Sequence, residues 1–252
     1  MSFKKIDGLN IHYSVKGRKG RPVVLLHGWG QNMEMMDYIA EFLKKHFKVY
    51  NFDFPFFGES EEPSVAWGVE EYCEFLKKFN DSFKIENPIL IGHSFGCRVA
   101  LRYAYKYPVY KMVLTGAAGI RDKRGIDYYF KTYSYKLGKY CLKKGLFKNV
   151  LTKMQENAGS EDYKNTSGVK RQTFVKVVND DVTPILKDIN VPTLLVFGEN
   201  DEATPVVKGK IMEKLMGDAT LVIFENDDHF AYFNEADRFN RVLEAYLKED
   251  YD

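Results

Sequence analysis

The amino-acid sequence predicts an α/β fold in which a mostly parallel β-sheet is flanked by helices. Short continuous apolar runs alternate with amphipathic stretches along most of the 252 residues, which is typical of parallel strands buried on both faces. The alternation stops between residues 121 and 182, where no strong strand pattern occurs. We therefore predict a core formed by residues 1–120 and 183–252 and a helical insertion at 121–182.

The first two elements are predicted to form a β-hairpin. Phe3–Ile6 and Leu9–Val15 alternate between apolar and polar residues, and Asp7-Gly8 between them is a strong signal for a tight turn. Six later apolar runs predict buried strands: Val23–Leu26, Val49–Phe52, Ile89–Ile91, Met112–Leu114, Thr193–Phe197 and Leu221–Phe224.

Helical stripes follow several of these strands. Apolar residues recur at helical spacing between Ile39 and Phe47 and between Val69 and Phe83. A final amphipathic helix is predicted from about Glu235 to Lys248. Because ligands bind at the carboxyl ends of the strands in such sheets, residues that follow strands are the candidates for a functional site.

Composition and charge narrow the class of protein. The chain is 45% hydrophobic, which provides for a sizeable core, and its net charge of +2 gives no case for a nucleic-acid or membrane-surface partner. No apolar run approaches the ~18 residues of a membrane helix, and the N-terminus lacks the apolar segment of a secretory signal. Three widely spaced cysteines predict neither a disulfide framework nor a zinc site. We expect a cytoplasmic protein.

The insertion is basic, while the rest of the chain is acidic. Residues 121–176 contain 14 Lys or Arg and 5 Asp or Glu. The usual explanation is that these charges cover the solvated outer faces of helices. The alternative is that some of them attract an anionic substrate, in which case higher ionic strength weakens the KM for acidic substrates.

A serine lies at the apex of a predicted strand–turn–helix segment. The sequence Gly-His-Ser-Phe-Gly at Gly92–Gly96 directly follows the apolar run at Ile89–Ile91 and opens an amphipathic stretch. Glycines on both sides permit a sharp turn that exposes Ser94, as nucleophilic catalysis requires. The alternative is a glycine-rich turn in which the serine caps the helix.

A base and an orienting acid follow Ser94 in the order that nucleophilic catalysis on such a sheet uses. His229 comes just after the last predicted strand, and Asp201 follows the strand before it. A carboxylate on the distal imidazole nitrogen fixes the tautomer of the base. Glu199 is a weaker candidate for the acid, and Asp227 and Asp228 are too close to His229 in sequence for that role.

Backbone amides supply the expected stabilisation of an oxyanion. Phe95 follows Ser94 at the predicted helix start, and Trp29 lies in the His-Gly-Trp-Gly stretch His27–Gly30 after the first buried strand. Their N–H groups are the predicted oxyanion donors. The alternative for His27–Gly30 is a plain glycine turn, with the Trp29 ring filling core space.

These motifs closely resemble those of the α/β-hydrolase family, in the same order and over nearly the whole chain. A further match is Asp53–Ser60, similar to the family's D-x-P-G-x-G-x-S loop. Three departures are Phe56, Cys97 and Asp228, each at a position where the family commonly has glycine. None of them removes a catalytic atom, although Phe56 is placed to narrow the pocket floor, and we expect Cys97 to face the core.

The resemblance implies a serine hydrolase with a helical cap formed by the insertion. Its expected partner is a small-molecule ester or related acyl compound, with Ser94, Asp201 and His229 as the triad and no metal or organic cofactor. A serine nucleophile argues against the aspartate-nucleophile branches of the family, such as haloalkane dehalogenases. Two alternatives stay open: hydrolysis of a carbon–carbon bond in ring-fission products, and a low-turnover ligand-binding or signalling module. The oligomeric state is not indicated by the sequence.

Overall fold

A mixed but mostly parallel sheet organises the protein, whose computed structural model describes residues 2–121 and 166–251. All the predicted strands are confirmed, with ends displaced by no more than two residues. Within the described residues the strands are β1 (Ser2–Ile6), β2 (Leu9–Lys16), β3 (Pro22–Leu26), β4 (Lys48–Phe52), β5 (Ile89–His93), β6 (Lys111–Thr115), β7 (Thr193–Gly198) and β8 (Ala219–Phe224).

The strand order brings distant parts of the sequence to one edge of the sheet. The order is β1-β2-β4-β3-β5-β6-β7-β8. The β1–β2 hairpin and the β2–β4 pair are antiparallel, and every other pair is parallel. Since β3 pairs directly with β5, the loop after Leu26 lies beside the turn after His93. The carboxyl ends of β3, β5, β7 and β8 thus share one edge.

Helices cover both faces of this sheet. Those in the described chain are α1 (Asp37–Leu43), α2 (Val69–Ser82), α3 (Phe95–Lys106), α4 (Gly168–Val178), α5 (Val206–Leu215), α6 (Ala231–Asn234) and α7 (Ala236–Leu247). The first helix ends before Phe47, which the apolar spacing had included. The chain turns there to enter β4 at Lys48, and the Phe47 ring is nevertheless fully buried.

The core consists of two layers that the sheet separates. Successive side chains of a strand point to opposite faces, so Val24 and Leu26 of β3 join one apolar cluster and Val23 and Leu25 join the other. Helices α2 and α3 cover the first layer, and α1 and α7 cover the second. This continuous burial explains why the strands read as unbroken apolar runs.

Most of the predicted helical insertion, residues 122–165, lies outside the described residues. The described part of it, from residue 166 onward, contains α4, which lies against the core through Val177. The division into a core and a cap therefore stays a prediction. No helix within 2–121 or 166–251 has the length and apolar character needed to cross a membrane.

Candidate active site

Ser94 lies on a strained turn between β5 and α3. Its backbone has φ 47° and ψ −105°, a conformation that non-glycine residues rarely adopt. The turn is tight because a Cβ on Gly96 would approach the carbonyl oxygen of Leu26 to 2.1 Å. Within the described chain the Ser94 side chain makes no capping hydrogen bond to α3. The strain is therefore not explained by helix capping, and Ser94 lines a cavity.

His229 and Asp201 meet across the ends of β7 and β8. The His229 Nδ1 lies 2.8 Å from the Asp201 Oδ2. Two backbone features bring the loops together: the Asn200 N–H donates to the Asp227 carbonyl at 2.8 Å, and Gly198 allows the Asp228 carbonyl within 2.1 Å of where a Cβ would be. Contacts between the two loops, close to the strand ends, thus hold the carboxylate and the imidazole together.

The Asp201 carboxylate accepts two further hydrogen bonds, both from Thr204. The Thr204 backbone N–H donates to Oδ1 at 2.7 Å, and its hydroxyl donates to Oδ2 at 2.7 Å. Burial raises the pKa of Asp201, but the hydrogen bonds from His229 and Thr204 outweigh this and bring the pKa below its ordinary value. Asp201 is therefore ionised at neutral pH. Sequence reasoning missed Thr204, although an Asp with a Thr three residues later is a common local turn pattern.

The other acidic candidates have different partners. The Glu199 Oε2 accepts from the Asn226 N–H at 3.0 Å. The Asp227 Oδ1 accepts from the Asn234 side chain at 2.7 Å, and the Asp228 Oδ1 accepts from the Phe230 N–H at 2.8 Å. These carboxylates accept hydrogen bonds within the loops around His229, whereas the His229 Nδ1 lies 2.8 Å from the Asp201 Oδ2 and 3.3 Å from the Thr204 hydroxyl.

His93, next to Ser94, packs against the ring of His229. The two ring centroids are 4.7 Å apart, and His93 is fully buried, with its Nδ1 3.3 Å from the Thr115 carbonyl oxygen. Burial, reinforced by His229, lowers the pKa of His93 well below its ordinary value. His93 therefore carries no charge at neutral pH and supports the His229 ring by packing.

His27 is also a structural residue. Its Nδ1 donates to the Gly28 carbonyl at 2.8 Å, and its Nε2 accepts from the Phe54 N–H at 2.9 Å. Burial lowers its pKa to about 4, so the ring is neutral. The ring links the loop after β3 to the loop after β4, and this link holds the Trp29 backbone in place.

The Asp53–Ser60 loop has a structural role that the sequence motif did not reveal. The buried Asp53 carboxylate contacts the His12 Nδ1 at 2.8 Å and accepts from the Met33 and Glu59 N–H groups. The Ser60 hydroxyl donates to the Asp53 carbonyl at 2.7 Å. His12, which sequence reasoning left without a role, is thus a buried partner that holds this loop.

A cavity of about 200 Å³ opens at Ser94. Trp29 and Phe95, the predicted oxyanion donors, line it together with Ser94. The Trp29 ring is only partly buried and makes edge contacts with Phe57 and Phe95, so it forms a cavity wall rather than filling the core. The other described lining residues are Arg98, Ala118, Gly119, Ile120, Phe174, Val177, Val178, Ala203, Thr204 and Lys208.

Two of the three departures from the family motif are accommodated away from this cavity. Phe56 adopts φ 79° with a buried side chain, and it is not among the described residues that line the cavity, so its expected effect on the pocket floor stays a prediction. Its carbonyl instead accepts from the Lys170 Nζ at 2.7 Å. Cys97 is fully buried, and burial raises the pKa of its thiol well above the ordinary range, which fits the packing role expected for it.

Comparison with known proteins agrees with this architecture. A family model described as alpha/beta hydrolase fold matches residues 21–137, and one described as TAP-like protein matches residues 159–250. The structure of an esterase from Exiguobacterium antarcticum superposes with a TM-score of 0.76 at 23% identity, covering 98% of this chain and 99% of that one. At this identity the likeness shows the fold alone.

Two relatives align over nearly their full lengths. A proline iminopeptidase of Saccharolobus solfataricus is 28% identical, over 99% of this chain and 92% of its own. A 2-hydroxy-6-oxo-6-phenylhexa-2,4-dienoate hydrolase of Comamonas testosteroni is 27% identical, over 99% of this chain and 95% of its own. The fold and these relatives define a hydrolase. The chain belongs to the α/β-hydrolase family.

Proposed function

We propose that this hydrolase uses Ser94 as a nucleophile to cleave carboxylic esters or related acyl compounds. The observation that carries the proposal is the Asp201–His229 hydrogen bond of 2.8 Å at the same sheet edge as the strained Ser94 turn. The proposed triad is Ser94, His229 and Asp201. The cavity beside Ser94 provides the volume for a small substrate.

In the proposed reaction the Ser94 Oγ bonds to the substrate carbonyl carbon while its proton passes to the His229 Nε2. The carbonyl electron pair moves to the oxygen, which the N–H groups of Trp29 and Phe95 stabilise. The first-turn amides of a helix lack intrahelical acceptors, so the Phe95 N–H is suited to this role. The intermediate then expels the leaving group, which takes the proton from His229.

Water completes the proposed cycle. His229 removes a proton from a water molecule, whose oxygen bonds to the acyl carbon. The Ser94 ester bond breaks, the acid leaves, and Ser94 regains its proton from His229. Throughout, the Asp201 carboxylate keeps the proton on the His229 Nδ1 and stabilises the imidazolium that forms twice in each turnover.

A Ser94→Ala variant tests the proposal. We expect wild-type protein to hydrolyse p-nitrophenyl butyrate and to be labelled by a fluorophosphonate, and both signals to disappear in the variant. The variant should unfold at about the wild-type temperature, because the hydroxyl that it removes makes no capping hydrogen bond to α3 in the described chain. Hydrolysis that persists in Ser94→Ala would contradict the assignment of the nucleophile. Wild-type protein that neither labels nor turns over would favour a ligand-binding module.

Hydrolysis of a carbon–carbon bond is the second candidate. The 27% identical relative from Comamonas testosteroni carries that activity in its name, and the cations in the cavity suit an acidic dienoate. A direct comparison of p-nitrophenyl esters with a ring-fission dienoate distinguishes the two. Fast dienoate turnover with negligible ester cleavage would replace the ester proposal.

We also propose that the protein works in the reducing cytoplasm. Cys73 and Cys97 are buried free thiols, and burial raises the pKa of Cys73 to about 12. Thiols of this kind are typical of cytosolic proteins. Cell fractionation followed by immunodetection tests this location, and recovery of the protein outside the cytosolic fraction would contradict it.

A further inference from the structure

The charged groups among the described residues that line the cavity are all cationic. Among its described lining residues, Arg98 and Lys208 are cationic, and no Asp or Glu occurs. The rest of this wall is apolar or uncharged, with Trp29, Phe174 and Val177 as its bulky members. A charge surrounded by apolar groups and partly excluded from water interacts strongly with a counter-charge. The described lining therefore presents only positive charge to a ligand.

Arg98 lies one helical turn after Ser94. Residues four apart lie on the same side of a helix, and Arg98 and Ser94 both line the cavity. Its Nη1 donates to the Asp180 carbonyl at 2.7 Å. The Asp180 carboxylate itself pairs with Arg102 at 2.7 Å.

Arg98 thus has a backbone carbonyl as its hydrogen-bond partner rather than a carboxylate. Among the described residues, no carboxylate oxygen lies within ion-pair distance of its guanidinium. Burial lowers the pKa of Arg98, and the nearby Asp180 and Asp181 charges offset this only in part. A bound anion would add to that partial compensation, and a planar guanidinium is well suited to bind a carboxylate.

We propose that Arg98, assisted by Lys208, binds a carboxylate on the acyl part of the substrate. The inference rests on the proposed function and specifies its substrate class: short acyl esters that end in a second, ionised carboxyl group. The cavity volume of about 200 Å³ suits an acyl chain of a few carbons. Substrates with a cationic acyl end are rejected by the same charges.

Three p-nitrophenyl esters with the same leaving group test the proposal. They are the mono-ester of glutaric acid, the neutral isostere 5-methylhexanoate, and the cationic 6-aminohexanoate. We expect wild-type protein to prefer the glutarate mono-ester over the isostere by at least about tenfold in kcat/KM and to discriminate against the cationic ester. An equal kcat/KM for all three would overturn the proposal.

Substitutions then identify the groups responsible. We expect Arg98→Gln to lower the acidic-to-neutral ratio of kcat/KM by about 10- to 100-fold and Lys208→Met to lower it by a smaller factor. Arg98→Lys retains the charge and should retain part of the ratio, which covers the possibility that Arg98→Gln unfolds. Lys210→Met is the matched control, because Lys210 is an exposed cation of α5 outside the described cavity lining. An unchanged ratio in both Arg98→Gln and Lys208→Met would overturn the assignment.

A titration separates this proposal from the proposed function. Glutarate is titrated calorimetrically into the Ser94→Ala and Arg98→Gln proteins, so the result does not depend on turnover. Binding to Ser94→Ala that is lost in Arg98→Gln supports the anion subsite even if no ester is hydrolysed and the proposed function fails. If esters are hydrolysed and glutarate does not bind to Ser94→Ala, the subsite is overturned and the proposed function stands.

Discussion

Asp201 is the residue whose charge the proposed reaction needs most. In Asp201→Asn the shape of the site is retained, but the carboxylate that orients His229 and stabilises its imidazolium is lost. We expect kcat for p-nitrophenyl butyrate to fall by about 10²- to 10⁴-fold, with KM changed little. Steady-state kinetics at pH 7 measure both parameters.

Glu199 provides the control for that experiment. It lies two residues before Asp201, and its carboxylate accepts from the Asn226 N–H rather than from His229. Glu199→Gln should therefore retain kcat within about threefold. If Glu199→Gln and Asp201→Asn lower kcat by similar factors, the assignment of the acid would be incorrect.

Thr204 links the ionisation of Asp201 to stability. Its hydroxyl donates to the carboxylate, so Thr204→Val removes a group that favours the ionised form. The folded-state pKa of Asp201 is depressed, and the unfolded value is about 3.9. The stabilisation is thus present above about pH 4 and lost as pH falls through the folded-state pKa. The stability gap between wild type and Thr204→Val should be about 1.5–3 kcal/mol at pH 7 and should narrow below pH ~4.

Urea unfolding at a series of pH values measures this gap. Thr193→Val is the matched control, because the Thr193 hydroxyl donates to the Val191 carbonyl at 2.7 Å, which is an acceptor that does not titrate. Its gap to wild type should be the same at pH 7 and at pH 3. A gap for Thr204→Val that is equally independent of pH would disprove the link to Asp201.

At this scale the sequence predicted the members of the candidate site but not the residues that support them. Ser94, Asp201 and His229 were selected because each follows a strand and the three occur in a specific order. Thr204 and the Asp53–His12 contact depend on where loops meet, and no local pattern specifies that. Arg98 is a further example. The sequence places it in the amphipathic stretch after Ser94, but its position in the cavity wall depends on how α4 and α5 pack beside α3.

The two glycines beside Ser94 differ in how much space the neighbouring atoms leave for a Cβ. A Cβ on Gly96 would come within 2.1 Å of the Leu26 carbonyl, which is backbone, whereas one on Gly92 would come within 3.1 Å of the Cys97 backbone. Gly96→Ala must therefore displace α3 from β3, while Gly92→Ala needs a shift of a few tenths of an ångström. We expect Gly96→Ala to cost at least about 1–3 kcal/mol of stability and Gly92→Ala to cost less.

Thermal unfolding and kcat should rank the two variants in that order. Because the Ser94 turn moves with α3, Gly96→Ala should also lose more activity per folded molecule than Gly92→Ala. Circular dichroism establishes that each variant is folded at the assay temperature. Equal losses in the two variants would mean that the glycines serve only local backbone conformation.

Helix α4 forms part of the described cavity wall. Its Phe174 ring packs on Trp29 at 5.2 Å and lines the cavity, so Phe174→Ala enlarges the space for the acyl chain. We expect the kcat/KM ratio of p-nitrophenyl octanoate to butyrate to rise by about tenfold, since each buried methylene contributes about 0.8 kcal/mol. Val175→Ala is the control, because this neighbouring residue is 42% exposed and outside the described lining. A ratio that moves equally in both variants would argue against this role.

At the scale of elements, strands were more predictable than their arrangement. Apolar runs of three to five residues identified β3 to β8, because such strands are buried on both faces of the sheet. The alternating pattern around Asp7-Gly8 identified β1 and β2. The order β2-β4-β3-β5 is not encoded locally, since it depends on which helices cover which face. The helical period extended α1 to Phe47 for a related reason: a buried ring at the right spacing looks helical even where the chain is turning.

Some of the contacts that stabilise the protein lie far from the candidate site. The candidate site occupies the carboxyl edge of the sheet, while the C-terminal segment is anchored at the opposite edge. There Asp250 accepts from the Tyr110 hydroxyl at 2.7 Å and pairs with Lys111 at the start of β6. Tyr251 stacks on His46 with ring centroids 4.0 Å apart. These contacts attach the end of the chain to the sheet without touching the cavity.

Because these contacts lie far from the cavity, we expect a substitution among them to lower the stability of the protein without lowering kcat. Asp250→Asn weakens two hydrogen bonds to a charged group, one of them from a side chain that is only 17% exposed, and should lower the free energy of unfolding by about 1–3 kcal/mol. At a temperature where the protein stays folded, kcat should remain within about twofold of wild type, because the β6 backbone that reaches Ser94 through Thr115 is unchanged. Urea unfolding and ester kinetics on one preparation measure both quantities, with Glu249→Gln as the neighbouring control. A fall in kcat that matches the loss of stability would show instead that the two edges of the sheet are mechanically coupled.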